Sequence, residues 1–457
     1  MPPSLRTAEQ GHITTTPGPE SLVLFDIPVD PLAFMSDLVE RYGDVVRYQS
    51  RMGPCLLFVH PDHVRAILHD QNFRRASLIR MMLGDGLLAS DGPRWRSQRH
   101  VMKRDFLPLK IDPMVCAMTR ETARMVACWR DAADGRQSLD VTREMTRLTL
   151  HIVVRTLFSE DLSADRANEL CEAVTQTILD LSDISWTIFG MPMQFTPTSS
   201  AGFAAARKVV DATCYEMIAR RRTQTAGQRP RDLLTLLIEA ETPSGPMDDV
   251  QLRDEMVTML VGGHETTALA LAWAWKLLAD HPEAEARLHR EVDEVLGERE
   301  PTLEDVPRLI WSKAVFQEAM RLYPPVWYMA RVATDAGVVG GHAIPPGACV
   351  LLSAWLTHRH PEFWSDPRRF DPARFLDDAP THRYSYFPFG GGRHQCIGMY
   401  FGTLEGTLIL AQIARQFRVV PNPGQEIGAN PGITLRQSPP MQATVERRST
   451  PIGRALP

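Results

Sequence analysis

Phe387-Pro388-Phe389-Gly390-Gly391-Gly392-Arg393-His394-Gln395-Cys396-Ile397-Gly398 places a single cysteine after a glycine-rich turn and ahead of a run, 397–412, that reads as helix. Gly reaches backbone angles closed to other residues, so such a turn lets backbone N–H groups converge on one sulfur. Those donors and the positive end of the following helix favour a thiolate, which suits a sulfur acting as a metal ligand. The plainer reading, a flexible turn with Cys396 as a small core residue, stands beside it until the rest of the chain is considered.

The 457 residues carry a formal net charge of -5, a balance that gives no reason to expect a nucleic-acid partner. Length alone allows roughly two to four domains, or one large domain with a long core. Seven cysteines, at 55, 116, 128, 171, 214, 349 and 396, show no paired metal-ligand spacing, as expected in a reducing cytoplasm. Residues 1–20 are polar and proline-rich, an expected flexible segment with no apolar stretch suited to a signal peptide or membrane anchor. The folded unit is expected over 21–457, with no internal repeat.

Outward from the cysteine, Pro31–Tyr42 has Leu32, Met35, Leu38, Val39 and Tyr42 at helical spacing. Residues 45–48 and 55–59 read as a hairpin around Met52-Gly53-Pro54, and Pro61-Asp62 opens a further helix. The stretch 78–88, with Met81, Met82 and Leu83, is apolar but aperiodic and reads as a loop over a cavity. Trp95 and Arg99 are four apart, on one helical face. Residues 114–222 form long amphipathic helices, broken near 159–161 and from Gly190. The apolar segment 184–193, with Trp186, suits either the roof of a pocket or core packing. Residues 249–278 read as one long helix, apolar nearly all round and so buried. In its middle, Gly262-Gly263-His264-Glu265-Thr266-Thr267 is a run of weak helix formers, and a local rule broken inside a strong helix suggests a functional site. Glu318 and Arg321 are three apart on a helix over 312–322. Pro324 and Pro325 then force an extended path on which Trp327, Tyr328 and Met329 can face a pocket. Short strands are expected within 338–350 and 433–445.

Phe389, Gly390, Gly392, His394, Cys396 and Gly398 together fill Phe-Gly-x-Gly-x-His-x-Cys-x-Gly, which resembles the haem-ligand loop of the cytochrome P450 family. A nucleotide-binding loop fits poorly, since no Lys-Ser/Thr follows the glycines and no dinucleotide fingerprint opens a helix. Other segments resemble the same family in the same order: Trp95 with Arg99, the Gly262 to Thr267 segment, Glu318 and Arg321 with distant Arg374, and Arg331. The resemblance implies a mainly α fold with small β-sheets in a single large domain. It implies haem b, iron protoporphyrin IX, with Cys396 as axial ligand and Phe389 and Gly263 against the haem. Trp95, Arg99, Arg331 and His394 would lie by its propionates. Glu265 and Thr266 would be an acid–alcohol pair delivering protons during dioxygen activation. Glu318, Arg321 and Arg374 would form a buried ion network.

The implied reaction inserts oxygen from O2 into a C–H or C=C bond of a small apolar substrate, a lipid-, terpenoid- or polyketide-like natural product of secondary metabolism. No flavin or iron–sulfur module is visible in the sequence. Electrons would therefore come from a ferredoxin or flavodoxin and its reductase, docking on a basic face of Arg94, Arg96, Lys103, Arg104 and Arg393. A non-oxygenating or peroxide-driven thiolate-haem enzyme, and a haem-binding sensor, are the alternatives.

Overall fold

The structure, a computed structural model, describes residues 15–19, 30–50, 53–75, 80–188, 201–243, 245–376 and 380–448. Local signals set the first elements as expected. Asp30 accepts the Leu32 N–H and proline fills the first turn of Pro31–Tyr42, which buries Leu32, Phe34, Met35 and Leu38. Strands Val45–Ser50 and Gly53–Phe58 pair antiparallel, and Pro61–His69 follows as a helix. Gly53–Phe58 then runs parallel to Cys349–Ser353, which pairs antiparallel with Tyr328–Ala333. Phe73–Arg75 closes this five-stranded sheet on the far side of Tyr328–Ala333. A second sheet joins Phe417–Pro421, Gln442–Arg447 and Leu139–Asp140. The strand Phe417–Pro421 has no counterpart in the sequence reading.

Among the described residues three two-stranded sheets are added, one of them Gly428–Pro431 with Leu435–Ser438; the remaining elements are helical, and one domain results. The long central helix has three parts: Asp249–Leu260, a π-helical turn Val261–Glu265, and Thr266–Asp280. The weak helix formers are the cause of the widened turn. His264 Nδ1 lies 2.6 Å from the Leu260 carbonyl, Thr266 Oγ1 donates to the Gly262 carbonyl at 2.9 Å, and Thr149 Oγ1 donates to the His264 carbonyl at 3.0 Å. Side chains thus satisfy backbone groups that the regular ladder leaves unpaired, as π-turns at functional sites require. Around this axis pack Val141–Leu157, Ile310–Leu322 and Met399–Ala414, the last carrying the chain on from Cys396. No helix among the described residues is long and apolar enough to cross a membrane.

The aperiodic stretch 78–88 contains one helical turn, Arg80–Leu83, before it becomes a loop, and the 184–193 segment begins as the end of the helix Ala164–Ile188. Residues 189–193, and the side chains of Met81, Met82 and Trp186, lie outside the described residues. So do residues 1–14 and 20. Of the N-terminal segment, Pro17 is tied in through its carbonyl, which accepts the Arg47 N–H at 2.8 Å.

Candidate functional site

The cysteine loop is closed by its own backbone. The Cys396 N–H donates to the Phe389 carbonyl at 2.8 Å and the Gly390 N–H to the Phe387 carbonyl at 2.8 Å. Gly392 has φ of 62° and packs against the Leu68 carbonyl, where a Cβ would collide with backbone, so no other residue serves there. The loop presents Cys396 in an unusual setting. The sulfur lies deep among protein atoms, yet the side chain is solvent-accessible, the combination that a recess, or hollow, in the protein gives. The expectation that its surroundings lower the thiol pKa is corrected. Burial raises it, and the Gly398 N–H and the Arg99 charge oppose that only in part. The loop alone therefore does not hold a thiolate, which would need a further partner such as a metal ion.

Gly402, on the helix that follows, lies so close to the central helix that a Cβ would sit 3.5 Å from Thr267 Oγ1 and 3.8 Å from the Phe389 ring. This brings the cysteine loop and the π-turn together. On that turn Gly262 is exposed and Thr266 half-exposed, although the helix on either side is buried, and nothing lies within 4 Å of where a Gly262 Cβ would stand. Gly263 points the other way, into Val153. Glu265 is fully buried, in an ion pair with Arg436 at 2.5 Å, and accepts from Thr434 Oγ1 at 3.1 Å. It therefore faces the Leu435–Ser438 strand, whereas Thr266 faces the hollow.

Beside the hollow is an accumulation of cations. His394 packs at 4.2 Å against Trp95 with the rings tilted by 50°, and the Trp95 ring also lies under Arg75 and Arg99 at 5.8 and 5.9 Å. Arg75 Nη2 is 2.6 Å from His394 Nδ1, and Arg331, 7% exposed, has a single hydrogen bond among the described residues, to the carbonyl of Ala330. Burial, and then neighbouring positive charge, pull Arg75 down to about 9; burial holds Arg331 at about 10. His394 is pushed to about 3 by burial and by Arg75, so it is neutral. Asp91 is the carboxylate that faces this group, with His394 Nε2 at 3.4 Å. Four guanidinium groups, those of Arg75, Arg99, Arg331 and Arg393, thus stand against one acid, Asp91. A cofactor with two carboxylates of its own and a metal for Cys396 fits both halves of the site.

A family model for cytochrome P450 matches residues 15–445. The chain belongs to the cytochrome P450 family. It is 35% identical over 422 residues, 90% of each chain, to cyclooctatin synthase of Streptomyces melanosporofaciens. It is 35% identical to the cyclooctat-9-en-7-ol 5-monooxygenase of the same organism, over 86% of each chain. Pentalenene oxygenase of Streptomyces avermitilis is 30% identical over 87% of this chain and 88% of its own. Among solved structures, the heme domain of cytochrome P450DA superposes with a TM-score of 0.86, covering 96% of this chain and 99% of that one at 24% identity. This P450 is accordingly a monooxygenase with a haem iron cofactor, using O2, redox partners and an apolar substrate.

In this P450 the sequence-derived residues fall into three groups. Trp95, Arg99, Arg331, Phe389, His394 and Cys396 converge as described, with Gly263 behind the π-turn that Thr266 presents. Glu318, Arg321 and Arg374 form their own cluster: Arg321 Nε and Nη2 donate to Glu318 at 2.6 and 2.7 Å, and Arg374 Nε is 3.5 Å away from the same carboxylate. The expected pocket residues divide. Met329 is beside the cysteine loop, its sulfur 3.6 Å from a Gly390 Cβ, and Leu83 is fully buried. Trp327 is a correction: it is fully buried, donates Nε1–H to the Gly432 carbonyl at 2.8 Å and packs edge-on to half-buried Tyr328. It belongs to the core between the first helix and the sheet, because the prolines dictate an extended path but not which side faces the hollow.

The sequence reading missed Arg75. The available signal was period two: in Phe73–Arg75 buried Phe73 and half-buried Arg75 share one face while Arg74 points out. It also missed Arg436 and Thr434, the partners of Glu265. Of the expected basic face, Arg96, Lys103 and Arg104 are exposed, but Arg94 is paired with Asp85 at 3.0 Å.

Proposed function

We propose that this P450 binds haem b between Cys396 and the π-turn of the central helix and oxygenates a terpenoid-like apolar substrate with electrons from a ferredoxin or flavodoxin. The observation that carries the cofactor's placement is the excess of guanidinium groups, Arg331 buried and Arg75, Arg99 and Arg393 half-buried, beside an accessible cysteine. Arg75, Arg99 and Arg331 would take the propionates, with Trp95 and His394 holding the guanidinium groups in place, and Phe389 would back the sulfur. Bound through Cys396, a haem iron supplies oxygen activation, which thiolate donation favours. Two relatives, the cyclooctat-9-en-7-ol monooxygenase and pentalenene oxygenase, support the terpenoid class.

The chain's own part is to manage protons and access. Thr266 holds a hydroxyl at the open face of the π-turn, already ordered by the Gly262 carbonyl. Glu265 stands behind it, and its ion pair with Arg436 keeps it from the hollow until that pair loosens. Thr266 therefore acts as the holding group and Glu265 as the proton relay. Thr266→Ala should bind haem and substrate and still consume reductant, but release hydrogen peroxide in place of product. Glu265→Gln should slow oxygen consumption itself, with losses of about 100-fold. Unchanged coupling in both variants would favour the peroxide-driven or non-oxygenating alternative. For the redox partner, exposed Arg96, Lys103 and Arg104 lie near Leu107, 53% exposed, on the side of the chain that carries Phe106 and Gly398. That combination of charge and apolar surface suits a small acidic electron carrier.

A further inference from the structure

The central helix carries three consecutive buried ionisable residues, Arg253, Asp254 and Glu255. The turn after Arg80–Leu83 is what they hold. Asp254 Oδ2 accepts the Asp85 N–H at 2.7 Å and Glu255 Oε2 the Leu87 N–H at 2.8 Å. Arg253 holds Asp254 at 2.9 Å and binds Asp211 on the helix Ala201–Thr223. From the opposite side Arg75 Nη1 donates to the Leu87 and Leu88 carbonyls at 3.2 and 2.7 Å, while its Nη2 reaches His394. Gln98 Nε2 donates to the Asp85 carbonyl at 2.7 Å. The turn is thus bolted between the central helix and the cationic cluster.

Its approach to the helix is as close as glycine allows. A Cβ on Gly84 would run into the Asp254 carboxylate, and one on Gly86 into Thr258 Oγ1 and the Asp254 carbonyl. Thr258 is four residues before Gly262, and Gly262 four before Thr266, so the three follow one face of the helix. The turn therefore sits one helical turn from the open face of Gly262, with Leu83 and Leu87 buried at its two ends.

We propose that Asp254 and Glu255 form a carboxylate seat for residues 84–88, and that this seat fixes the wall of the hollow beside Gly262 and so determines how bulky a ligand is admitted next to Thr266. They are positioning residues, acting through the turn. This rests on the placement of the cofactor between Cys396 and the π-turn. The Glu255 acid, raised by burial to about 8, is neutral at pH 7, so it holds the Leu87 N–H as a neutral acceptor that glutamine can replace.

The test uses the holoenzyme of Asp254→Ala, Glu255→Gln and Gly86→Ala. Amide exchange is read over residues 84–88, and the haem spectrum is titrated with imidazole and with phenylimidazole. Asp254→Ala should speed exchange of the Asp85 amide about tenfold and shift the ratio of the two affinities about tenfold, the size of one lost hydrogen bond to a charged group. Gly86→Ala, which displaces the turn without touching a carboxylate, should do the same. Glu255→Gln should match the parent in both. Exchange and ratio unchanged in Asp254→Ala and Gly86→Ala would overturn the proposal, as would faster exchange with an unchanged ratio. Loss of folded protein in both variants would assign the pair to folding alone and equally overturn it. Amide exchange reports the seat whether or not the cofactor is placed as proposed, so a failure of the placement shows separately, as an unaltered spectrum in Cys396→Ser.

Discussion

Two buried arginines in this P450, Arg321 and Arg331, have opposite accounts. Arg321 is fully buried and all five of its N–H donors are used: two on Glu318, and the others on the carbonyls of His358, Pro367 and Arg369. Arg331 is nearly as buried, yet its one hydrogen bond among the described residues is to the carbonyl of Ala330, and Arg75 and Arg393 add positive charge nearby. A buried charge whose partners all belong to the chain is architecture. One whose partners are missing marks where another molecule's charge belongs, since burying an unpaired guanidinium costs several kcal/mol.

The sharpest way to break that contrast is to truncate one residue at each site. Glu318→Ala leaves Arg321 charged and without its carboxylate in the core, and should cost about 3–5 kcal/mol in denaturant unfolding, enough to abolish most soluble protein. Arg331→Gln should leave the apoprotein as stable as the parent or more so, because it removes like charge from a cationic cluster. The haem should instead dissociate faster, by about tenfold to a hundredfold, for one lost charge-assisted hydrogen bond. Equal apoprotein destabilisation by both variants would erase the distinction.

A smaller effect sharpens it with pH. Glu255, facing the Leu87 N–H, Asp254 and Arg94, has its folded-state pKa raised by burial to about 8. The folded protein therefore keeps a proton that the unfolded chain loses above about 4.5. Its contribution to stability is complete below that pH and is lost as pH rises through 8. Glu255→Gln should flatten this part of the stability profile, measured as unfolding midpoints across pH 5 to 9. His394 has the reverse sign. Held neutral with a folded pKa of about 3, it contributes stability above about 6.5 that is lost as pH falls towards 3. The smallest expected effect lies at the surface: charge reversal at Arg96 and Lys103 should slow reduction by an acidic ferredoxin a few-fold and weaken the salt dependence of that rate, because exposed charges are screened beyond about 8–10 Å. A rate indifferent to both would remove this face as the docking surface.

How much could be read from the sequence follows the same division. The cysteine loop was legible because its fixed positions are local in sequence, and at one of them Gly392 is forced by the approach of Leu68. The helix 31–42 was legible from periodicity, and that expected over 312–322 is present as Ile310–Leu322. The strand at 73–75 was too short to announce Arg75, and Trp327 was misplaced because a proline-imposed extended path has two faces. Glu265 was legible as a candidate acid, but its direction was not: Arg436 and Thr434, which turn it towards the strand Leu435–Ser438, are distant in sequence.

The central claim is that Cys396 is the metal-ligating sulfur of an internal haem site, and Cys396→Ser tests it most directly. The ferrous protein under carbon monoxide should show the red-shifted band of thiolate-ligated haem in the parent and lose it in the variant, since a serine hydroxyl cannot donate charge as sulfur does. Retention of that band by Cys396→Ser would contradict the account.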